Sequence, residues 1–221
     1  MDKDFETISE LRAIIHELRT PLTAATSTLQ LLESKYPGLS SERFLRSLEN
    51  DLKYAAELLT HYSSYMTANK YREEAFDIGS LVKEVALSFA IQLSEEMVCF
   101  SSKIELDDIT FLGDPVQIQQ LLRNILKNAY QACEDNDTIF LHTYMENDAV
   151  ILSVQDTGCG MTEEQLPTIF NTFVTYTKKR GAGIGLPLCK QIVEAHRGTI
   201  EVTSVPDEGT TFRIMLPMKQ L

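Results

Sequence analysis

Basic residues are scarce in this 221-residue chain, in which 20 Lys and Arg stand against 32 Asp and Glu and the formal net charge is -12. Such a balance repels nucleic-acid phosphate and anionic membrane surfaces, so neither is an expected partner. Cysteine is scarce too. Cys99, Cys133, Cys159 and Cys189 show no CxxC spacing and no neighbouring histidine pair, which argues against a disulfide framework or a zinc site and fits a reducing cytosol. No apolar run approaches the length of a membrane span, and Met1-Asp2-Lys3-Asp4 does not start a signal peptide. Repeats and low-complexity tracts are also missing. The expectation is a chain of two domains, cytoplasmic as given.

What is present begins with a seam. Leu11, Ile15, Leu18, Leu22, Ala25, Leu29 and Leu32 recur at alternating spacings of four and three, which predicts a helix over about residues 4–35, ended by Tyr36-Pro37-Gly38. Pro21 lies inside it and is expected to bend it. Ser40 or Ser41 can cap a second helix with the seam Leu45, Leu48, Leu52, Ala55, Leu59, Tyr62 and Met66. One antiparallel hairpin cannot cover both seams. Two hairpins related by a twofold axis can, so a homodimeric four-helix bundle is expected.

With Ile15 at an inward position, His16, Glu17 and Thr20 face outward. An imidazole beside a carboxylate is a candidate nucleophile with its tautomer held by the acid; a solvated helix histidine is the alternative. His61 also falls outward, has no adjacent carboxylate, and reads as solvated. Between Arg19 and Glu33 no residue is charged, and the outward Thr20, Thr23, Ala24, Ser27, Gln30 and Leu31 suit a transient protein interface with little desolvation cost.

After a polar linker over residues 69–76 the periodicity shortens. Asp77 is expected to cap a helix reaching about Ala90, followed by strands over residues 97–101 and 109–112. Asp114-Pro115 opens a helix whose apolar face is Ile118, Leu121, Leu122, Ile125, Ala129 and Ala132, with Asn124, Asn128 and Gln131 alongside. Strands over 139–146 and 149–155 join at Asn147-Asp148. A helix over 183–196 with Gly198 as its C′ residue and strands over 199–204 and 210–216 complete the pattern.

Three polar constellations fall on this second region. Asp156-Thr157-Gly158-Cys159-Gly160 follows a strand, where a carboxylate can accept from an exocyclic amino group and glycines admit a flat ligand; an ordinary Asx turn is the alternative. Gly181-Ala182-Gly183-Ile184-Gly185-Leu186 opens a helix whose bare amides favour polyphosphate. The stretch 170–180 between them, with Lys178, Lys179 and Arg180, has the length of a lid, or is a solvated loop. Asn124 and Asn128 stand one turn apart and offer hard neutral oxygens to Mg2+, unless they are surface residues.

In order, His16-Glu17-Leu18-Arg19-Thr20-Pro21-Leu22, Asn124-Ile125-Leu126-Lys127-Asn128-Ala129, Asp156 to Gly160, Phe170 to Phe173 and Gly181 to Leu186 resemble the H, N, G1, F and G2 boxes of sensor histidine kinases. Lys127 to Ala129 and the stretch with Lys178 resemble the sporulation and nitrogen-regulation branch. The resemblance implies a dimeric phosphotransfer hairpin over 1–72, and over 73–221 an ATP-binding α/β sandwich of the gyrase, Hsp90, kinase and MutL kind. It implies ATP-dependent phosphorylation of His16 and transfer to an aspartate of a response regulator. A conformational ATPase without phosphohistidine, or a phosphotransfer scaffold with weak ATPase activity, is the alternative.

Implied catalytic residues are His16, Glu17, Thr20 and Lys178. Implied nucleotide contacts are Asn124, Lys127, Asn128, Asp156, Gly158, Gly160, Phe170, Thr175, Gly181, Gly183, Ile184, Gly185 and Leu186, with Mg2+ on Asn128 and Asn124. Implied partners are a second copy, a receiver domain and a protein inhibitor on the hairpin, the full-length protein being membrane-anchored through segments outside this chain. Ala182 and Pro187 depart from the usual pattern of the last box.

Overall fold

The computed structural model describes residues 2–36, 38, 43–67, 71–171 and 185–218, and of residues 2–13, 16, 53, 57 and 60–67 the backbone alone. The heptad segments form α1 (Asp2–Lys35) and α2 (Arg43–Thr67), which pack against each other. Pro21 lies within α1. Ile15 and Leu29 are buried, whereas Leu18, Leu32 and Leu48 of the same seams are exposed by 41–50%. The expected caps Ser40 and Ser41 lie outside the described residues.

The next element corrects the expected linker. Glu74–Asp77 forms a strand, β1, rather than a free tether. Glu73 and its own first residue Glu74 disguise a short edge strand whose Phe76 is half-buried and meets Phe111 edge to face, with 5.9 Å between centroids. Asp77 then caps α3 (Ile78–Gln92), its Oδ1 accepting from the Ser80 amide at 3.2 Å. β2 runs over Cys99–Ile104, two residues later than expected at its start, and β3 over Thr110–Gly113 pairs antiparallel with β1.

α4 (Pro115–Ala132) starts at Asp114, whose Oδ1 accepts from the Val116 and Gln117 amides, both at 3.1 Å. β4 (Thr138–Glu146) and β5 (Ala149–Asp156) form a hairpin through Asn147 and Asp148, both with positive φ as a two-residue primed turn requires. α5 (Gly185–Ala195), β6 (Thr199–Val205) and β7 (Gly209–Pro217) complete the fold.

The large sheet has the order β2-β4-β5-β7-β6, with β2 parallel to β4 and the other pairs antiparallel. α3, α4 and α5 supply the second layer. Alternation along the strands sends Ile139, Leu141, Val150, Leu152, Val154, Phe212 and Ile214 into a core shared with Leu121, Ile125, Leu188 and Ile192 of the helices. The opposite sheet face carries Phe140, His142, Tyr144 and Arg213, and Arg213 pairs with Glu146.

The end of α5 also differs from expectation. Arg197, with φ of 58°, occupies the left-handed C′ position, and Gly198 follows as C″, its amide donating to Val193 O at 2.9 Å while the Arg197 amide donates to Glu194 O at 3.0 Å. Glycine is needed one position later for a different reason: a Cβ on Gly198 would collide with the Met215 carbonyl.

Candidate active site

β5 delivers Asp156 to its last position, where the residue is 2% exposed. Oδ1 accepts from the Gly158 amide at 3.0 Å and from the Thr210 amide at 3.3 Å. The first of these bonds is an Asx turn, so the turn reading and the ligand reading meet in one side chain. Both donors fall on Oδ1, and Oδ2 has no protein donor among the described residues. Burial raises the carboxyl to about 6, the Gly158 and Thr210 amides oppose the rise, and the charge of Asp137 adds to it.

The glycines of this loop also have a packing role. Each is pressed against the protein's own backbone: a Cβ on Gly158 would strike the Ala132 carbonyl at the end of α4, and one on Gly160, with φ of 59°, would strike Val205 O. The Cys159 amide donates to Ala132 O at 3.0 Å, and Thr157 Oγ1 donates to Asp137 Oδ1 at 2.9 Å. These contacts fasten the Asp156 loop to the C-terminal end of α4.

On α4, Asn124 is buried and Asn128 half-buried, and the Nδ2 atoms of both lie buried without a hydrogen-bond partner among the described residues. A Cβ placed on Gly185 would lie 4.0 Å from Asn128 Oδ1, which sets this asparagine beside the first turn of α5. Two amides left short of partners inside a protein are costly, and a polar ligand relieves that cost. Leu186 and Phe170 are half-buried against the core, with Lys190 Nζ 5.9 Å from the Phe170 ring centre.

Lys127, expected among the nucleotide contacts, also lines another part of the molecule. It is one residue before Asn128 on a helix turning by about 100° per residue. Its side chain lines a cavity against α3 together with Arg123 and Tyr130, not the α5 side occupied by Asn128. Thr175, Lys178, Gly181, Gly183 and Ile184 lie outside the described residues. On α1, Glu17 and Thr20 are exposed, and the His16 side chain lies outside the described residues.

Mg2+ is the ion the donor set must be tested against. Among the described residues no group of three or more His, Cys, Asp or Glu side chains is placed to hold a metal. The amide oxygens of Asn124 and Asn128 fit an ion that takes few protein ligands and completes its shell with water and phosphate.

A second polar centre was not legible in the chain. His196, buried at the end of α5, accepts the Asp114 amide at Nε2 (3.0 Å) and so carries its proton on Nδ1, which donates to Ile192 O at 2.8 Å. Asp114 Oδ2 accepts from the Arg72 amide at 3.0 Å, and the Tyr71 ring stands edge-on to His196 with centroids 5.0 Å apart. The segment following α2 is thus tied to the start of α4 and the end of α5. Asp114 was visible as a cap, but its second oxygen meets a partner 42 positions away.

Residues 113–220 match the family described as histidine kinase-, DNA gyrase B-, and HSP90-like ATPase, and that stretch is an ATPase domain of this class. Sporulation kinase E of Bacillus subtilis (strain 168) is 32% identical over 216 residues, which are 96% of this chain and 29% of that protein. The signal transduction histidine-protein kinase AtoS of Escherichia coli (strain K12) is 29% identical over 214 residues, 96% of this chain and 35% of that protein. The chain spans about a third of the length of these two relatives. Among solved structures, the catalytic domain of histidine kinase ThkA aligns with TM-score 0.60 and 28% identity over 66% of this chain and 96% of that one. Full-length ShkA in complex with AMPPNP aligns with TM-score 0.78 over 98% of this chain and 46% of that one, a likeness of fold at 23% identity. Over nearly its whole length the chain is similar to the catalytic region of sensor histidine kinases.

Proposed function

We propose that this chain binds ATP between α4, the Asp156 loop and the start of α5, and transfers its γ-phosphoryl group to His16. The observation that carries the reading is Asp156: a buried residue at the end of β5 with one carboxylate oxygen saturated by backbone amides and the other unspent, its loop fastened to the C-terminal end of the helix bearing Asn124 and Asn128. Oδ2 accepts the exocyclic amino group of adenine and would face an acceptor in guanine, which gives base discrimination. Asn128, supported by Asn124, holds Mg2+, which when bound neutralises phosphate charge.

In the transfer, the bond from the γ-phosphorus to the bridging oxygen breaks and a bond to an imidazole nitrogen of His16 forms. ADP leaves with the bridging oxygen, and Glu17 accepts the imidazole proton. The phosphoryl group then passes from nitrogen to a carboxylate oxygen of an aspartate on a receiver domain. Thr20, one turn beyond His16, positions water for the separate phosphatase activity, in which water attacks the receiver's phosphoaspartate, the bond from phosphorus to the carboxylate oxygen breaks and inorganic phosphate leaves. Receiver docking uses the uncharged outward face of α1. Thr20, Thr23, Ala24, Ser27, Gln30 and Leu31 are all exposed there, and Thr23 Oγ1 is already engaged with Arg19 O at 2.9 Å, so this surface is less polar than its composition. Residues 1–72 act as the phosphotransfer and dimerisation unit, and 73–221 as the ATP-binding unit.

Incubation with γ-labelled ATP and Mg2+ tests the reading. Label stable to alkali and lost in acid is expected on the wild-type chain and absent from His16→Gln, which still binds ADP. ATP hydrolysis without protein label would instead favour a conformational ATPase, and histidine label persisting in His16→Gln would move the acceptor elsewhere.

A further inference from the structure

α3 and α4 enclose, on the side of α4 turned away from Asn128, a cavity of about 350 Å3. That volume lies in the range of small-ligand sites, roughly 300–1,000 Å3. Its floor is core: Val85, Phe89, Leu93 and Leu126 are buried. Its rim is polar. Ser88, Gln92 and Glu96 stand on the α3 side, and Arg123, Lys127 and Tyr130 on the α4 side.

Charge is distributed unevenly around it. In a chain of net charge -12, Arg123 and Lys127 are the only charged residues of α4, one turn apart on one face, with no acidic residue anywhere on that helix. The single carboxylate on the rim, Glu96, is hydrogen-bonded by the Tyr130 hydroxyl. An apolar floor containing a phenyl ring, roofed at one side by two cations, complements an aromatic ring carrying one negative group. A carboxylate offers the guanidinium two parallel acceptors, and such charge-assisted pairs are among the stronger polar contacts.

We propose that the α3–α4 cavity is a binding site for a small aromatic carboxylate, separate from the nucleotide site. The anion rests on Arg123 with Lys127 beside it, and the ring covers Phe89, Leu93 and Leu126. The inference rests on the cavity's geometry and charge alone and stands whether or not His16 is phosphorylated.

Calorimetric titration of the intact chain with 1-naphthoate tests it. One saturable site per chain is expected. Arg123→Gln should weaken binding about tenfold or more, the scale of a lost charge-assisted pair. Ser88→Trp, which fills the mouth from the α3 side, should abolish it, and Gln92→Trp serves the same purpose if Ser88→Trp lowers thermal stability. Excess ADP should leave the isotherm unchanged. A titration without saturation, affinity unmoved by the Arg123 and tryptophan variants, or displacement by ADP would each overturn the proposal.

Discussion

Two regions of one chain treat the same side chains in opposite ways. Leu121 and Ile125 on α4 are 0% exposed, whereas the seam residues Leu18 on α1 and Leu48 on α2 are 50% and 47% exposed. α4 lies between a sheet and two neighbouring helices, so most of its circumference meets protein. α1 and α2 meet each other along one stripe, and a pair of helices has no further layer to cover the rest. Among the described residues the ATPase region buries its core within a single copy; the helical region leaves much of its seams bare, which supports the proposed dimer.

The comparison breaks most visibly in the seam. Leu18→Glu would put an unpaired carboxylate into the interface of the proposed bundle, and the dimer should weaken about a hundredfold or more, since burying an unpaired charge costs several kcal/mol. Sedimentation equilibrium measures this, and an unchanged mass distribution would remove the seam from the dimer interface. ADP affinity should be untouched.

In the ATPase region, Leu121→Ala should destabilise by about 2–5 kcal/mol through lost burial and a residual cavity. Leu31→Ala should shift stability by no more than about 0.5 kcal/mol, as expected for an exposed side chain. Denaturant unfolding of both variants checks the contrast. Comparable losses would mean that α1 is covered where the single chain shows it bare.

Asp156→Asn sharpens the contrast within the site. It keeps the shape but replaces a charged acceptor, so ADP affinity should fall about tenfold to a hundredfold, the range for hydrogen bonds to charged groups. Thermal unfolding should change far less. Equal affinity in wild type and variant would remove the base-reading role from Asp156.

The smallest effect is in pH. The folded carboxyl of Asp156 sits at about 6, above its ordinary 3.8, so between these values the folded chain binds more protons than the unfolded one. This group therefore favours folding most at acid pH, and its contribution declines as pH rises through about 6. Nucleotide binding has the opposite sign, because the ionised form accepts from the base, and it should weaken as pH falls below about 6. Both slopes should flatten in Asp156→Asn; a wild-type slope retained there would place the titration in another group.

Several elements were legible because their signals are local. Asp77 and Asp114 cap α3 and α4 through amides two or three residues on, and Asn147-Asp148 turns the β4–β5 hairpin with its own backbone. β1 was not legible, because its strand character comes from pairing with β3, and Glu73 and Glu74 hid it in a polar stretch. Arg197 took the left-handed position expected of Gly198 because the close approach of β7 at Met215 claims the glycine one residue later.

By itself, the sequence determined the period of each helix, its caps, the alternation of the strands and the order of the polar motifs. All of these depend on interactions spanning a few residues. Only the tertiary structure decided which neighbours the motifs meet: that Asp156 spends one oxygen on Thr210, that Gly158 yields space to Ala132, and that Lys127 faces α3 while Asn128 lies beside Gly185. Those outcomes depend on how strands and helices stack, and a helix turn of about 100° separates adjacent residues into different surroundings that no local pattern distinguishes.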